Sequence, residues 1–244
     1  MIKFYLRFQN NMLTKNLLYI ITYLVLFFNI IIRIMPDKFI PLSNGPAGVG
    51  NIIPQKLYVY CDVYLLMLFI ILIFFFLGSD FNNSMEEIAL VVGGSRPNKF
   101  MIRKLCSILI MYAILYLISF FNIYFLYKGM IRANETLPPI NEILLYSITT
   151  NIFVISLSIF ILLISRDIAV STCLITAYYL IEEGLWRCKI TQTNGILGHI
   201  YSYYDYGKGE ILKVKLIYML ISIILLLLSY KISQRKINFK IHHS

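Results

Sequence analysis

The chain has 244 residues, of which 59% are hydrophobic and 14% charged, and its mean hydropathy is +0.75. A soluble domain of this length cannot bury so much apolar surface, so the composition excludes a soluble globular protein and makes lipid the solvent for much of the chain. The formal net charge of +10 indicates anchoring at anionic lipid surfaces rather than binding of nucleic acid.

Six apolar stretches follow the N-terminal segment 1–16. That segment mixes apolar and basic residues, which is typical of a helix in the membrane interface, although a frayed start to the first span fits the same pattern. A helix needs about 20 apolar residues to cross a bilayer. The predicted spans are Leu17–Met35, Leu57–Leu77, Phe100–Tyr127, Asn141–Ser165, Ile168–Ile181 and Ile211–Tyr230. The predicted fold is therefore an all-α polytopic membrane protein, with 1–244 forming a single transmembrane domain.

The segment 78–100, between the second and third spans, has the pattern of a short soluble helix. Ser84-x-x-Glu87 fits a capping box, in which a hydroxyl and a carboxylate satisfy backbone donors at a helix start. Four apolar residues then share one helical face: Met85, Ile88, Ala89 and Val92. Gly93-Gly94 is expected to end this helix, and Pro97 suits the first turn of the next one. The pattern predicts a helix of about eight residues, roughly 12 Å long.

The basic residues divide unevenly between the two sides of a six-span protein. The side that holds the N-terminus, the 78–104 loop, the 166–167 turn and the basic tail 231–244 carries 12 of the 22 Lys and Arg residues, and the other side carries 10. The same side carries four of the 12 acidic residues. Because positive charge favours the cytoplasmic side, we expect both termini to be cytoplasmic.

The fifth span is short and is followed by Glu182-Glu183, so we expect it to cross only part of the membrane before it breaks. With six spans and a cytoplasmic N-terminus, the segment 182–210 is expected on the outer side, and Trp186 and four tyrosines in it suit the membrane interface. Those tyrosines are Tyr201, Tyr203, Tyr204 and Tyr206.

Polar residues inside the spans suggest either close helix packing or a substrate path. The candidates for a path are Asn151, Thr172, Thr176, Glu182 and Glu183. Asp62 lies five residues into the second span, and we expect it near the outer edge in contact with water.

The four cysteines show no metal-binding spacing. Cys61 and Cys188 are expected near the outer surface, where they could pair. Cys106 and Cys173 are interpreted as small packing residues within spans.

Four features follow one another between the second and third spans. They are an acidic loop, a short helix with Glu86-Glu87, a Gly-Ser-Arg turn and a basic start to the next span. This arrangement resembles the permeases of the ABC-2 transporter family. The residues that match the loop motif of that family are Asp80, Ser84, Glu86, Glu87, Leu90, Ser95, Arg96 and Lys104.

The resemblance implies that the short helix docks into a cleft of a separate ATPase subunit. The docking residues would be Ser84, Met85, Glu86, Glu87, Ile88, Ala89, Leu90, Val92 and Arg96. It also implies a second permease subunit, identical or related, and a location in the cytoplasmic membrane of a bacterium. A helix of this kind that simply lies on the lipid surface is the alternative.

The chain has no G-x-x-x-x-G-K-[ST] motif, which a P-loop needs to bind phosphate. We therefore expect a transport subunit without catalytic, cofactor-binding or metal-binding residues, whose partner ATPase binds ATP and Mg. The apolar and aromatic spans suit an amphipathic cargo. The resemblance implies that this cargo is a peptide, a bacteriocin or an antibiotic-like compound, with a role in export or in immunity.

Glu182-Glu183-Gly-Leu-Trp186-Arg187 carries a second resemblance, to the first motif of CAAX-processing and bacteriocin-processing intramembrane proteases. In that family a paired glutamate activates water, and histidines in later spans hold the reacting centre. His199 is the histidine that precedes the sixth span in this sequence. The alternative function is therefore an intramembrane protease that uses Glu182, Glu183 and His199.

Overall fold

The computed structural model describes residues 14–35, 59–82, 97–130, 140–187 and 210–241. All of them are helical except Met35, Arg166 and Asp167. The helices are α1 (Thr14–Ile34), a π-helical segment (Val59–Leu65) that continues as α2 (Leu66–Asn82), α3 (Pro97–Met130), α4 (Ile140–Ser165), α5 (Ile168–Arg187) and α6 (Glu210–Ile241). The predicted all-α class is confirmed for this part of the chain.

Five helices are long and apolar enough to cross a membrane. Their apolar windows are Asn16–Ile34, Cys61–Gly78, Ile108–Leu126, Leu144–Ser165 and Leu212–Ile232. The chain therefore has the architecture of a polytopic helical membrane protein. The apolar part of α5, Ile168–Glu182, is shorter, so a sixth span remains a prediction.

The expected break of the fifth helix at Glu182-Glu183 is wrong, because α5 continues to Arg187. Glutamate is a good helix former. The side chain of Glu182 is also buried against other helices and does not face lipid. The helix can therefore continue through this residue.

Prolines mark several helix boundaries. Pro36 follows the end of α1, and the residue before a proline is disfavoured in the helical conformation. Pro97 is the first residue of α3, where its missing N–H leaves no intrahelical bond unmade. Pro138 and Pro139 directly precede α4. The predicted opening of a helix at Pro97 is therefore confirmed.

A two-residue turn joins α4 to α5. Arg166 adopts a φ of 55°, the left-handed conformation that reverses the chain. Oδ1 of Asp167 accepts a hydrogen bond from the backbone N–H of Val170 at 3.0 Å and so caps the start of α5. The hydroxyls of Ser165 and Ser171 lie 2.7 Å apart across the turn. This short connection holds α4 and α5 as an antiparallel pair.

The helix α4 lies in the middle of the bundle, where it contacts α2, α5, α6 and the π-helical segment. In α2 and in α4, 67% of the apolar window is buried, against 22% in α1 and in α6. Large apolar side chains on α1 and α6, such as Tyr23, Phe27, Leu220 and Leu227, are exposed and suit contact with lipid. Polar side chains that point inward from α4 are consequently kept from lipid.

A small polar cluster fastens α1 to α3. Nδ2 of Asn29 donates to Oγ of Ser119 at 2.9 Å, and Nδ2 of Asn122 donates to Oδ1 of Asn29 at 3.0 Å. Interhelical hydrogen bonds of this kind stabilise helix association within a bilayer, where apolar burial contributes little.

Gly78 marks a close approach between α2 and the start of α5. A Cβ at this position would lie 2.7 Å from Cδ1 of Ile168 and closer still to Cγ1.

We expect Gly78→Ala to destabilise the bundle by about 1–3 kcal/mol through overpacking, measured as a lower thermal unfolding temperature of the protein in detergent. Ile168→Ala removes both crowded atoms and should restore much of the loss in the double variant. Gly184→Ala is the control, because a Cβ there meets nothing within 4 Å. Equal losses in the two glycine variants would contradict the close approach.

The cysteines differ from their predicted roles. Cys61 is a free thiol that is fully buried among the helices, and its expected partner Cys188 lies outside the described residues. Cys106 and Cys173 are exposed on α3 and α5, so the prediction that they serve as packing residues is wrong. Small size alone does not tell which face of a helix a residue occupies.

Several predicted features lie outside the described residues. They are the docking helix within 83–96, the interfacial segment over 1–13, and most of the outer segment, 188–209, with Cys188 and His199. The first part of the basic tail lies within α6, which continues to Ile241.

A buried polar cluster as the candidate functional site

One face of α4 carries three buried polar residues, Ser147, Thr150 and Asn151. Their spacing of three and four residues places them on the same side of the helix. Because α4 is central, this side faces other helices, and the three residues contact polar groups from the π-helical segment, α3 and α6. The core of the cluster is therefore one polar face of α4, which the packing of the bundle directs toward the other helices.

Asp62 is the acceptor at the centre of this cluster. Its side chain is fully buried, at 0% exposure. Its Oδ1 accepts hydrogen bonds from Oγ of Ser147 and from Nδ2 of Asn151, the latter at 2.6 Å. The expectation that Asp62 is in contact with water is wrong, because the π-helical segment packs against α4 at this point.

The backbone around Asp62 is π-helical over Val59–Leu65. π-Helical turns are rare and occur frequently at functional sites. The backbone carbonyl of Asp62 accepts a hydrogen bond from the hydroxyl of Tyr179 at 3.2 Å. This contact ties the π-helical segment to α5.

Two tyrosines of α3 extend the network. The hydroxyl of Tyr116 donates to Oγ of Ser147 at 2.6 Å, and the hydroxyl of Tyr112 donates to Oδ1 of Asn151. Ser147 and Asn151 in turn donate to Asp62. The donors thus run from α3 through α4 and end on the Asp62 carboxylate.

Lys215 of α6 and Glu182 of α5 add two further charges. Lys215 is 2% exposed and Glu182 is 1% exposed. Nζ of Lys215 donates to Oγ1 of Thr150 and interacts electrostatically with the carboxylates of Asp62 and Glu182. Oε1 of Glu182 accepts a hydrogen bond from the hydroxyl of Tyr178 at 2.8 Å. We call Asp62, Glu182 and Lys215 the charged triad.

Aromatic rings surround the polar groups. Phe69 and Tyr112 have ring centroids 4.3 Å apart, and Phe153 and Tyr218 have centroids 4.8 Å apart in an edge-to-face arrangement. Charges in such a low-dielectric setting interact strongly, and each of them is costly to leave unpaired. Ionisable groups buried within a membrane bundle are candidates for function for this reason.

The structure brings only some of the predicted path residues into this cluster. Asn151 and Glu182 belong to it. Thr172 donates to the backbone carbonyl of Ile168 at 2.8 Å, and Thr176 is exposed on α5, so neither contributes to the described network. The side chain of Glu183 lies outside the described residues.

Lys215, Tyr112 and Tyr116 are members of the cluster that sequence reasoning missed. Lys213 and Lys215 are only two residues apart, yet the structure exposes Lys213 and buries Lys215. The available signal was the spacing of two residues, which places the two lysines on different faces of a helix. Among the residues that the structure describes, no group of three or more His, Cys, Asp or Glu side chains could hold a metal ion.

Comparisons with protein-family models, with curated proteins and with solved structures give no match to this chain.

Proposed function

We propose that the chain is the permease subunit of an ABC exporter, which moves an amphipathic peptide, a bacteriocin or an antibiotic-like compound out of the cell or membrane. A separate ATPase subunit would bind ATP and Mg and drive the transport. The residues that would contact this subunit lie in 83–96, between α2 and α3. A second permease subunit, identical or related, would complete the pathway in a bacterial cytoplasmic membrane, with both termini cytoplasmic.

The main support is the way in which helices flank the segment 83–96. The helix α2 continues past its apolar window, which ends at Gly78, to Asn82. The helix α3 begins at Pro97, whereas its apolar window begins only at Ile108. The part of α3 that precedes this window is about 11 residues, or roughly 16 Å, long and contains Lys99, Arg103 and Lys104. Two helical extensions on the same side of the bundle would thus support a docking segment outside the lipid.

The path from this segment to the charged triad is also helical. Asp62 and Asn82 lie at opposite ends of the continuous run formed by the π-helical segment and α2, roughly 30 Å apart. A displacement at 83–96 would therefore move a rigid element that ends in the buried cluster, whereas a flexible connection would absorb it. This arrangement supports a role for α2 in coupling.

Copurification from native membranes tests this proposal. A tagged chain should be purified in mild detergent, and the proteins that accompany it should be identified by mass spectrometry. We expect a stoichiometric P-loop ATPase that is lost when Met85, Ile88 and Val92 are replaced by Asn. The matched control replaces Ile190 and Ile196 by Asn in the segment assigned to the other side, and it should retain the ATPase.

A chain that purifies without an ATPase would overturn the proposal. The intramembrane protease would then be tested next, because Glu182 is a buried acid within the bundle. Glu182→Gln and Glu183→Gln would be compared for cleavage of hydrophobic peptides.

A further inference from the structure

Arg166, in the turn between α4 and α5, lies at the level where the apolar part of the bundle ends. The apolar window of α4 ends at Ser165, directly before this residue, and the apolar part of α5 begins at Ile168, two residues after it. The headgroup region of a bilayer begins where its hydrocarbon ends. The turn therefore places a guanidinium group at the depth of the lipid phosphates.

The guanidinium group of Arg166 is not fully used by the protein. Its Nε is buried and has no hydrogen-bond partner among the described residues. The neighbouring carboxylate of Asp167 is directed to the start of α5, where it accepts from the backbone N–H of Val170. A buried donor on a charged group is costly to leave without an acceptor. The side chain as a whole is only half-buried, so an acceptor from outside the bundle can approach the guanidinium.

The surroundings of the turn fit a phospholipid as the source of this acceptor. A guanidinium group matches phosphate oxygens with two parallel N–H donors. Exposed apolar side chains flank the turn, namely Ile164 on α4 and Val170 and Leu174 on α5. A phospholipid presents a phosphate group directly above its acyl chains, so one molecule would satisfy both the cation and these apolar side chains.

The helix α6 shows which other cation lies at this depth. It runs parallel to α4, because Lys215 donates to Thr150 and Tyr218 stacks edge to face on Phe153, each pair 65 positions apart. The same offset places the exposed Lys231 level with the α4–α5 turn. Lys231 lies about 160° around α6 from Lys215 and so on the side away from α4. It is a cation at the depth of the turn that does not belong to it.

The turn is recessed between longer helices, which favours a lipid over a soluble partner. The helix α2 packs against the start of α5 through Gly78 and continues past its apolar window to Asn82. The helix α6 continues from the end of its window at Ile232 to Ile241, roughly 13 Å further. A soluble protein would meet these extensions first, whereas a lipid phosphate lies at the level of the turn itself.

We propose that Arg166 binds the phosphate group of an anionic phospholipid, whose acyl chains lie against the exposed faces of α4 and α5. A zwitterionic phospholipid would bind less tightly, because its ammonium group offsets the charge of its phosphate. The site would hold its lipid whatever compound the chain transports, so this inference does not depend on the proposed export function.

Native mass spectrometry of the purified full-length chain in a non-ionic detergent tests the proposal, because it resolves the number of lipids bound to each molecule. The protein would be titrated with phosphatidylglycerol and, separately, with phosphatidylcholine. We expect the first phosphatidylglycerol to bind more tightly than phosphatidylcholine. Arg166→Gln should weaken its binding roughly fivefold, the effect of one basic side chain at an anionic lipid surface. Arg166→Lys, which keeps the charge and loses the planar fork, should weaken it less.

Two further variants separate a site at the turn from general attraction. Lys231→Gln is the matched control, since it removes the same charge at the same depth from another face of the bundle, and it should leave the affinity nearly unchanged. Asp167→Asn should bind phosphatidylglycerol at least as tightly as the unaltered protein. Asparagine also caps a helix start, and the substitution removes a carboxylate that repels the phosphate.

Four results would overturn the proposal. Equal affinity of the unaltered protein for the two lipids would do so, and this result needs no variant to fold. Equal losses in Arg166→Gln and Lys231→Gln would show diffuse attraction to a basic surface. Displacement of phosphatidylglycerol by millimolar inorganic phosphate would identify a site for free phosphate. Loss of a copurifying protein in Arg166→Gln, at unchanged lipid affinity, would assign the turn to a protein partner.

Discussion

Lys215→Met is expected to lower the free energy of unfolding by about 3–5 kcal/mol, the range found when the removal of one charge leaves an opposite buried charge uncompensated. The substitution keeps the apolar stem and removes only the ammonium group. Asp62 would then remain buried at 0% exposure without this counter-charge. The loss should appear as a lower thermal unfolding temperature in detergent and as a smaller monomeric fraction after heating.

Two further variants separate charge from packing in this experiment. Lys213→Met is the matched control, because Lys213 lies two residues before Lys215 on α6 and is exposed. This substitution should leave the unfolding temperature nearly unchanged. Asp62→Asn combined with Lys215→Met removes both of these charges and should recover part of the lost stability. If Lys215→Met were as stable as Lys213→Met, the ammonium group of Lys215 would not stabilise the bundle.

Glu86→Ala combined with Glu87→Ala is expected to reduce export to the level of cells without the protein. Both carboxylates lie in the predicted docking helix, where they would contact the ATPase, and Glu87 would also complete the capping box. Insertion into the membrane should be unaffected, because the spans do not include these residues. The measurement compares export, or resistance to a candidate toxic peptide, with the amount of protein in the membrane fraction.

Glu135→Ala provides the control for this pair of substitutions. Glu135 lies between the third and fourth spans, on the predicted opposite side of the membrane. This variant should export normally. Retained export in the Glu86 and Glu87 variant, at an unchanged protein level, would contradict the coupling role.

Local sequence determined the helical elements closely. The fourth span was predicted as Asn141–Ser165 and the helix is Ile140–Ser165, with the predicted turn at 166–167. Pro97 opens α3 as predicted. These features depend on apolar run length and on proline, which act over a few residues. The continuation of α5 past Glu182 was missed because burial of that side chain depends on other helices.

The sequence by itself thus determined that the chain is a helical membrane protein, and approximately where its helices begin and end, because bilayer thickness and backbone hydrogen bonding constrain each segment separately. Only the tertiary structure decided which polar residues meet. Asp62 and Ser147 are 85 positions apart, and Lys215 and Thr150 are 65 apart. A charge within an apolar run has the same local pattern whether it faces lipid, water or a counter-charge. Packing of α2, α5 and α6 around α4 is what places Asp62, Glu182 and Lys215 within electrostatic reach of one another.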